Sequence, residues 1–168
     1  MPILTPRLVF FATSIACASL MGYAYYSQYV LHYEPCMLCM VQRFFMVCLG
    51  VTALIAALHN PGRSGVKIYG TIAAGFALLG AYIAGRHVYL QGLPLAELEG
   101  CSPGLEYVLN NFDWLKVLRT VFIRDQDCGT IDWTFLGHSM PRWVLLWFVA
   151  MAMGILWSSF RKPPVKLR

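Results

Sequence analysis

Two cysteines, Cys36 and Cys39, are separated by two residues, a spacing typical of dithiols that cycle between thiol and disulfide. They lie in the run PCMLCMVQR at positions 35–43, where one uncharged stretch ends and another begins. On a helix that starts at Pro35, positions 36, 39 and 43 point within about 60° of one another, so both sulfurs and the guanidinium of Arg43 share a face. Because the first turn of a helix presents unpaired N–H groups, it stabilises a thiolate. The run therefore predicts a redox-active dithiol.

A second pair of cysteines, Cys101 and Cys128, lies in the one long polar segment of the chain. Joining them would stabilise the fold by roughly 3–4 kcal/mol in the loop-entropy model, so a structural disulfide is one interpretation. A second redox pair that works with the first is the other, and the nearby Cys-x-x-Cys favours it. The remaining cysteines, Cys17 and Cys48, fall in apolar stretches and are interpreted as small buried hydrophobes.

The elements that position these cysteines are long apolar helices. The chain has 168 residues, of which 58% are hydrophobic and 12% charged, against about a quarter charged in soluble domains. A soluble fold would leave too little polar surface to cover such a core. A helix crosses a bilayer with about 20 apolar residues. Four uncharged stretches meet this length, and we predict membrane spans near 8–28, 41–59, 67–88 and 143–160.

We therefore expect an all-α membrane protein, a four-transmembrane-helix bundle that forms one integral membrane domain over residues 1–168. Its outer loops would cover about 29–40 and 89–142. In the third span, small residues recur at a spacing of four and predict close helix packing. They are Ala73, Ala77, Ala81 and Gly85.

The charges predict the orientation of the spans. The two termini and the 59–67 turn hold seven of the 13 basic residues and none of the eight acidic ones. Because positive segments stay in the cytoplasm, both termini are expected there. The basic net charge of +5 is then a topology signal, and no nucleic-acid partner is expected.

This orientation places all four loop cysteines on the outer side of the membrane, where an oxidising compartment lets disulfides persist. A structural zinc held by these cysteines is a further interpretation. The oxidising compartment and the lack of paired histidines argue against it, so no metal is expected.

The long outer segment contains a helical apolar pattern after Pro103. The pattern predicts a short amphipathic helix, either flat on the membrane surface or packed on the bundle. Its apolar positions are Leu105, Val108, Leu109, Phe112, Leu115, Leu118 and Phe122. The polar run 124–127 then presents Cys128 on an exposed turn.

A membrane dithiol needs an acceptor for two electrons, and the lipid-soluble carrier of that kind is a quinone. Arg43 is expected to donate a hydrogen bond to a quinone carbonyl, as preorganised donors do. The alternative for Arg43 is an interfacial arginine whose stem lies along apolar surface. Arg86 and His87, near the outer end of the third span, are further candidates for the quinone site, with ordinary structural roles as the alternative.

These features resemble the DsbB family, the quinone-reducing membrane oxidases that sustain periplasmic disulfide formation. The resemblance covers nearly the whole chain. It rests on the four-span layout, on Cys101 and Cys128 in the second outer loop, and on three motifs, which are PCMLC at 35–39 with Gln42-Arg43, DWTFLG at 132–137, and Met140-Pro141.

The resemblance implies a function and a role for each cysteine. Cys36 and Cys39 would be reoxidised by ubiquinone or menaquinone from the membrane quinone pool, with Cys39 nearest the quinone and Arg43 helping to bind it. Cys101 and Cys128 would exchange with a soluble DsbA-like thioredoxin-fold partner. Cys101 would form the mixed disulfide, and exchange between Cys128 and Cys36 would pass the electrons inward.

Two departures from the family pattern concern the quinone site. Some members have an acidic residue where this chain has Gln42, and the connection from Arg86 to Cys101 is short.

Two other interpretations stay open at this point. A vitamin-K-epoxide-reductase-like oxidoreductase also uses a membrane-edge Cys-x-x-Cys, but its motif typically lies late in the chain, whereas Cys36 and Cys39 follow the first span. A four-span scaffold with structural loop disulfides is the non-enzymatic alternative, although the loop signatures of tetraspanins and claudins are absent from the sequence.

Overall fold

The computed structural model describes residues 5–33, 35–94 and 134–161. The described chain is dominated by four long helices, with one small hairpin before the last of them. The helices are α1 (Pro6–Tyr29), α2 (Met37–His59), α3 (Arg63–Leu90) and α4 (Met140–Phe160), and the hairpin strands are β1 (Thr134–Phe135) and β2 (His138–Ser139).

All four helices are long and apolar enough to cross a membrane. The predicted four-helix membrane fold is confirmed. Each helix extends the predicted span by one to four residues at one or both ends. The predicted amphipathic helix, Cys101 and Cys128 lie outside the described residues.

The ends of the helices follow local sequence signals. Thr5 caps α1, where its hydroxyl accepts a hydrogen bond from the Leu8 N–H at 3.4 Å, and Pro6 opens the first turn. Asn60 ends α2 in the left-handed conformation, which asparagine tolerates better than most residues. A short turn then leads to Arg63 at the start of α3.

The hairpin was not predicted from the sequence. Thr134 pairs with Ser139 and Phe135 with His138, so a two-residue turn joins the strands. Both turn residues, Leu136 and Gly137, have positive φ angles of 52° and 75°, the combination of a type I′ turn. The hairpin leads directly into α4.

Small residues let the helices approach closely around a shared core. Gly80 on α3 packs on Phe148 of α4, and a Cβ at this position would overlap the Phe148 ring. Gly50 on α2 lies against Cys17 of α1, where a Cβ would come within 2.9 Å of the Cys17 Cβ. The core is completed by fully buried alanines on α2 and α3 and by Ile155.

The outer surface of the bundle is apolar on all four helices. Leu58 and Trp157, for example, are 69% and 70% exposed. Contiguous apolar surface of this kind is rare on soluble monomers but suits contact with lipid tails.

Candidate active site

The two motif cysteines lie at the start of α2. Cys36 is the N-terminal capping residue, with an extended backbone, and its carbonyl accepts a hydrogen bond from the Met40 N–H at 3.2 Å. Cys39 lies within the first turn. The Cys36 thiol donates to Cys39 Sγ at 3.2 Å, and both side chains are half-buried. Because the sulfurs already face each other, a small movement would bring them to the roughly 2.05 Å of a disulfide.

His87 of α3 lies against both sulfurs. Its Nε2 is 3.8 Å from Cys36 Sγ and its Nδ1 is 3.9 Å from Cys39 Sγ. The imidazole is only 3% exposed. His87, a sequence-based candidate for the quinone site, lies beside the dithiol. A ring with a donor and an acceptor nitrogen can stabilise a thiolate and exchange a proton with a thiol.

Gln42 also contacts the imidazole ring of His87. Its side-chain amide nitrogen lies 3.1 Å from His87 Nδ1, and Gln42 is also buried. From the sequence Gln42 was only a departure from a family pattern, and this contact was not predicted. A polar amide inside an apolar helix end was the available signal, because such groups are costly in a membrane unless they have a partner.

Arg43 joins α2 to α1. Its guanidinium donates hydrogen bonds to the Gln28 side-chain oxygen and, at 3.2 Å, to the Ala24 carbonyl. It also lies 5.6 Å from the centre of the Tyr25 ring, within the range of a cation–π contact. Cys36, Cys39 and Arg43, predicted to share a helix face, line one cavity, although Cys36 caps α2 and does not lie in its first turn.

Arg86 differs from its neighbour His87. It is half-buried on α3, and it is not among the described residues that line the cavity.

The cavity has a volume of about 560 Å³ and is partly open to the outside. It lies at the end of the bundle where α1 and α3 finish and α2 and α4 begin. Its walls are mostly apolar and aromatic, with few polar groups, as small-molecule sites usually are. Its lining comprises Leu20, Met21, Tyr23, Ala24, Ser27, Tyr33, Pro35, Cys36, Cys39, Gln42, Arg43, Met46, His87, Gln91, Met140, Pro141, Trp143, Val144 and Trp147.

These walls fit the ring of a quinone. The volume lies within the range of about 300–1,000 Å³ that holds drug-sized molecules. Trp143 and Trp147 offer flat apolar surfaces, while Arg43 and Gln42 bring N–H donors to the same space. A second link closes this end of the bundle, because the Ser139 hydroxyl donates to the Gln91 side-chain oxygen at 2.6 Å.

Comparison with known proteins agrees with this arrangement. The family model described as "Disulfide bond formation protein DsbB" matches residues 6–158. The chain belongs to the DsbB family. Curated relatives named "Disulfide bond formation protein B" are 41% identical in Hahella chejuensis, 40% in Chromobacterium violaceum and 42% in Xanthomonas campestris pv. campestris. The three alignments cover 95–96% of this chain and 95–97% of each relative.

Membership in the DsbB family makes this chain an integral membrane oxidoreductase of disulfide bond formation. The family match separates it from the vitamin-K-epoxide-reductase-like and scaffold interpretations.

Proposed function

We propose that this protein is a protein-dithiol:quinone oxidoreductase that reoxidises a DsbA-like periplasmic partner and passes two electrons to a membrane quinone. The observation that carries the proposal is the placement of the Cys36–Cys39 pair on the wall of an apolar cavity beside His87 and Arg43. Membership in the DsbB family supports the same reaction.

The outer pair would receive the electrons first. A thiolate of the reduced partner attacks the disulfide between Cys101 and Cys128 and forms a mixed disulfide with Cys101, which releases Cys128 as a thiolate. The partner's second thiolate then breaks the mixed disulfide. The partner leaves oxidised, and Cys101 and Cys128 hold two electrons and two protons.

The inner pair would be reduced by exchange between the two loops. The Cys128 thiolate attacks Cys36 of the Cys36–Cys39 disulfide, and Cys39 leaves as a thiolate. Cys101 then attacks Cys128, which restores the outer disulfide and releases Cys36. In the described geometry Cys39 Sγ accepts a hydrogen bond from the Cys36 thiol, and His87 Nδ1 lies 3.9 Å from Cys39 Sγ.

A ubiquinone or menaquinone bound in the cavity would supply an acceptor for two electrons and two protons. Arg43 is anchored to α1 by Gln28 and Ala24, so its guanidinium is held as a preorganised donor for a carbonyl oxygen. Cys39 and His87 line the same space and would complete the site. Arg86 stays a sequence-based prediction for this site.

The proposed orientation places both termini in the cytoplasm and the redox loops in the periplasm of a bacterial inner membrane. It is supported by the positive charges of the opposite end of the bundle. There Arg7 donates to the Ala57 carbonyl at 3.0 Å, and Arg63 begins α3. The thiol cluster lies at the other end, which carries no such excess of basic residues.

The proposal is tested with purified protein, a reduced DsbA-like partner and a soluble quinone. Quinone reduction is followed by absorbance in Cys36→Ser, in Cys39→Ser and in the control Cys48→Ser, whose thiol lies deeper on α2 and outside the cavity. Both motif variants should lose activity while the control keeps it. Unchanged quinone reduction in the two motif variants would contradict the proposal.

A further inference from the structure

The dithiol and its histidine also form a ligand set for a metal ion. Cys36 Sγ, Cys39 Sγ and a ring nitrogen of His87 all lie within 4.8 Å of one another. Two sulfurs and one imidazole are a common donor set for zinc, whose fourth position can be taken by water.

We propose that the reduced form of this protein binds one zinc ion through Cys36, Cys39 and His87, and that the bound metal prevents the pair from forming its disulfide, an effect called the arrest below. The arrest rests on the function proposed above, whereas the metal site rests on the geometry alone. No metal was expected from the sequence, where the only metal site considered was one of four cysteines. The present set differs because it recruits a histidine from another helix.

Two of the three ligand separations are close to those around a tetrahedral ion, and all three lie within 4.8 Å. Zinc lies about 2.3 Å from sulfur and about 2.0–2.1 Å from nitrogen, which places neighbouring ligand atoms roughly 3.5–3.8 Å apart. Here the two sulfurs are 3.2 Å apart and His87 Nε2 is 3.8 Å from Cys36 Sγ. All three residues line the cavity, so a water in the fourth position would face it.

Gln42 is placed to supply the outer contact that histidine ligands usually have, once its amide group is reversed so that the oxygen faces Nδ1. Ligating histidines donate their other ring N–H to an oxygen, which fixes the tautomer. The Gln42 amide lies 3.1 Å from His87 Nδ1, and an amide has both a donor and an acceptor end. When the Gln42 side-chain oxygen accepts a hydrogen bond from Nδ1–H, the lone pair of the imidazole lies on Nε2. Nε2 is the ring nitrogen nearer Cys36 Sγ.

The zinc-bound site would carry no net charge, which suits its mostly apolar surroundings. Zinc binding displaces one proton from each thiol, so two protons leave for each Zn²⁺ that enters. The product, Zn²⁺ with two thiolates and a neutral imidazole, has no net charge and needs no buried acid. The disulfide form has no thiolates, so binding is confined to the reduced protein. While the metal is bound, both sulfurs are held as its ligands and cannot close to a disulfide.

The test uses the full chain in detergent with Cys101→Ser and Cys128→Ser, so that the outer pair cannot bind metal. The reduced protein is titrated with Zn²⁺ against a chromogenic chelator, and with Co²⁺ as a spectroscopic probe. We expect one ion per reduced chain, thiolate-to-cobalt absorption, and no binding after oxidation of the Cys36–Cys39 pair.

Three single substitutions in this background sharpen the test. His87→Gln should weaken zinc binding at least 10-fold, and Gln42→Leu about 10–100-fold, the usual cost of losing an outer-shell contact. His59→Gln changes a histidine at the opposite end of α2 and should leave the affinity unchanged. Equal affinity in His87→Gln and the parent protein would overturn the site, as would the absence of stoichiometric binding.

The arrest is measured separately by quinone reduction in protein without these serine substitutions. Chelator-treated protein should be active, and Zn²⁺ should abolish the activity reversibly. Zinc binding with undiminished activity would overturn the arrest. Loss of quinone reduction in the metal-free protein would instead count against the proposed function and leave the binding result standing.

Discussion

Gln42 and His87 are in contact through a 3.1 Å approach between the Gln42 amide nitrogen and the His87 Nδ1, although they lie on different helices, 45 residues apart in the chain. Both side chains are buried at the end of the bundle where the dithiol lies. Because the same imidazole lies against the two sulfurs, Gln42 is placed to influence which ring nitrogen carries the proton.

His87→Gln is expected to slow quinone reduction roughly 10–100-fold, because the sulfurs lose a group that stabilises the thiolate and exchanges protons. The same variant should slow alkylation of the reduced Cys36–Cys39 pair by iodoacetamide. A merely structural role would leave the alkylation rate unchanged while lowering the melting temperature. His59→Gln is the matched control, and equal loss in both variants would count against a role at the site.

Arg43→Lys is expected to raise the KM for a soluble quinone about 10-fold and to change kcat less. Lysine keeps the positive charge but cannot reach both Gln28 and the Ala24 carbonyl with a planar fork of donors. Steady-state kinetics at varied quinone concentration measure the effect. Arg63→Lys, at the exposed start of α3, is the control. A normal KM in Arg43→Lys would show that the fixed guanidinium is not needed for binding.

Gly80→Ala is expected to destabilise the bundle by about 1–3 kcal/mol, because the added methyl group overlaps the Phe148 ring in a close-packed core. Thermal unfolding in detergent measures the loss. The control is Gly75→Ala on the same helix, where no atom lies within 4 Å of the added carbon. A melting temperature in Gly80→Ala as high as in the control would mean that α3 and α4 are packed more loosely than described.

The orientation of the bundle gives a fourth prediction. In intact spheroplasts, after mild reduction, an impermeant maleimide should label the Cys36–Cys39 pair. A cysteine introduced by Ser64→Cys, in the first turn of α3 at the opposite end, should be labelled only after the membrane is broken. The reverse pattern would place the thiols on the cytoplasmic side and contradict the proposed partner.

Much of this arrangement was predictable from the sequence. The uncharged stretches predicted the four helices, because apolar length is a direct requirement for crossing a bilayer. The spacing of Cys36, Cys39 and Arg43 predicted their common face, because helical periodicity over seven residues depends on one helix alone. The family resemblance was confirmed by the match over residues 6–158.

The contacts between helices were harder to predict. His87 contacts the sulfurs only because α3 is rotated about its own axis so that this residue faces α2. The sequence of either helix alone does not determine that rotation. The small-residue stripe illustrates the difficulty. Ala73 and Ala77 are fully buried as predicted, but the core contact then passes to Gly80 and Ala84. Residues spaced strictly four apart on a helix rotate away from the core by about 40° at each step.

The central claim is that the Cys36–Cys39 pair passes its electrons directly to a quinone in the adjoining cavity. A single-turnover experiment tests it in protein carrying Cys101→Ser and Cys128→Ser, reduced beforehand and freed of reductant and metal. Mixed with excess soluble quinone, this protein is predicted to form one quinol per chain as the Cys36–Cys39 disulfide appears, and to form none when Cys39→Ser is added. Failure of the parent to form quinol, or full quinol formation in the Cys39→Ser variant, would contradict the account.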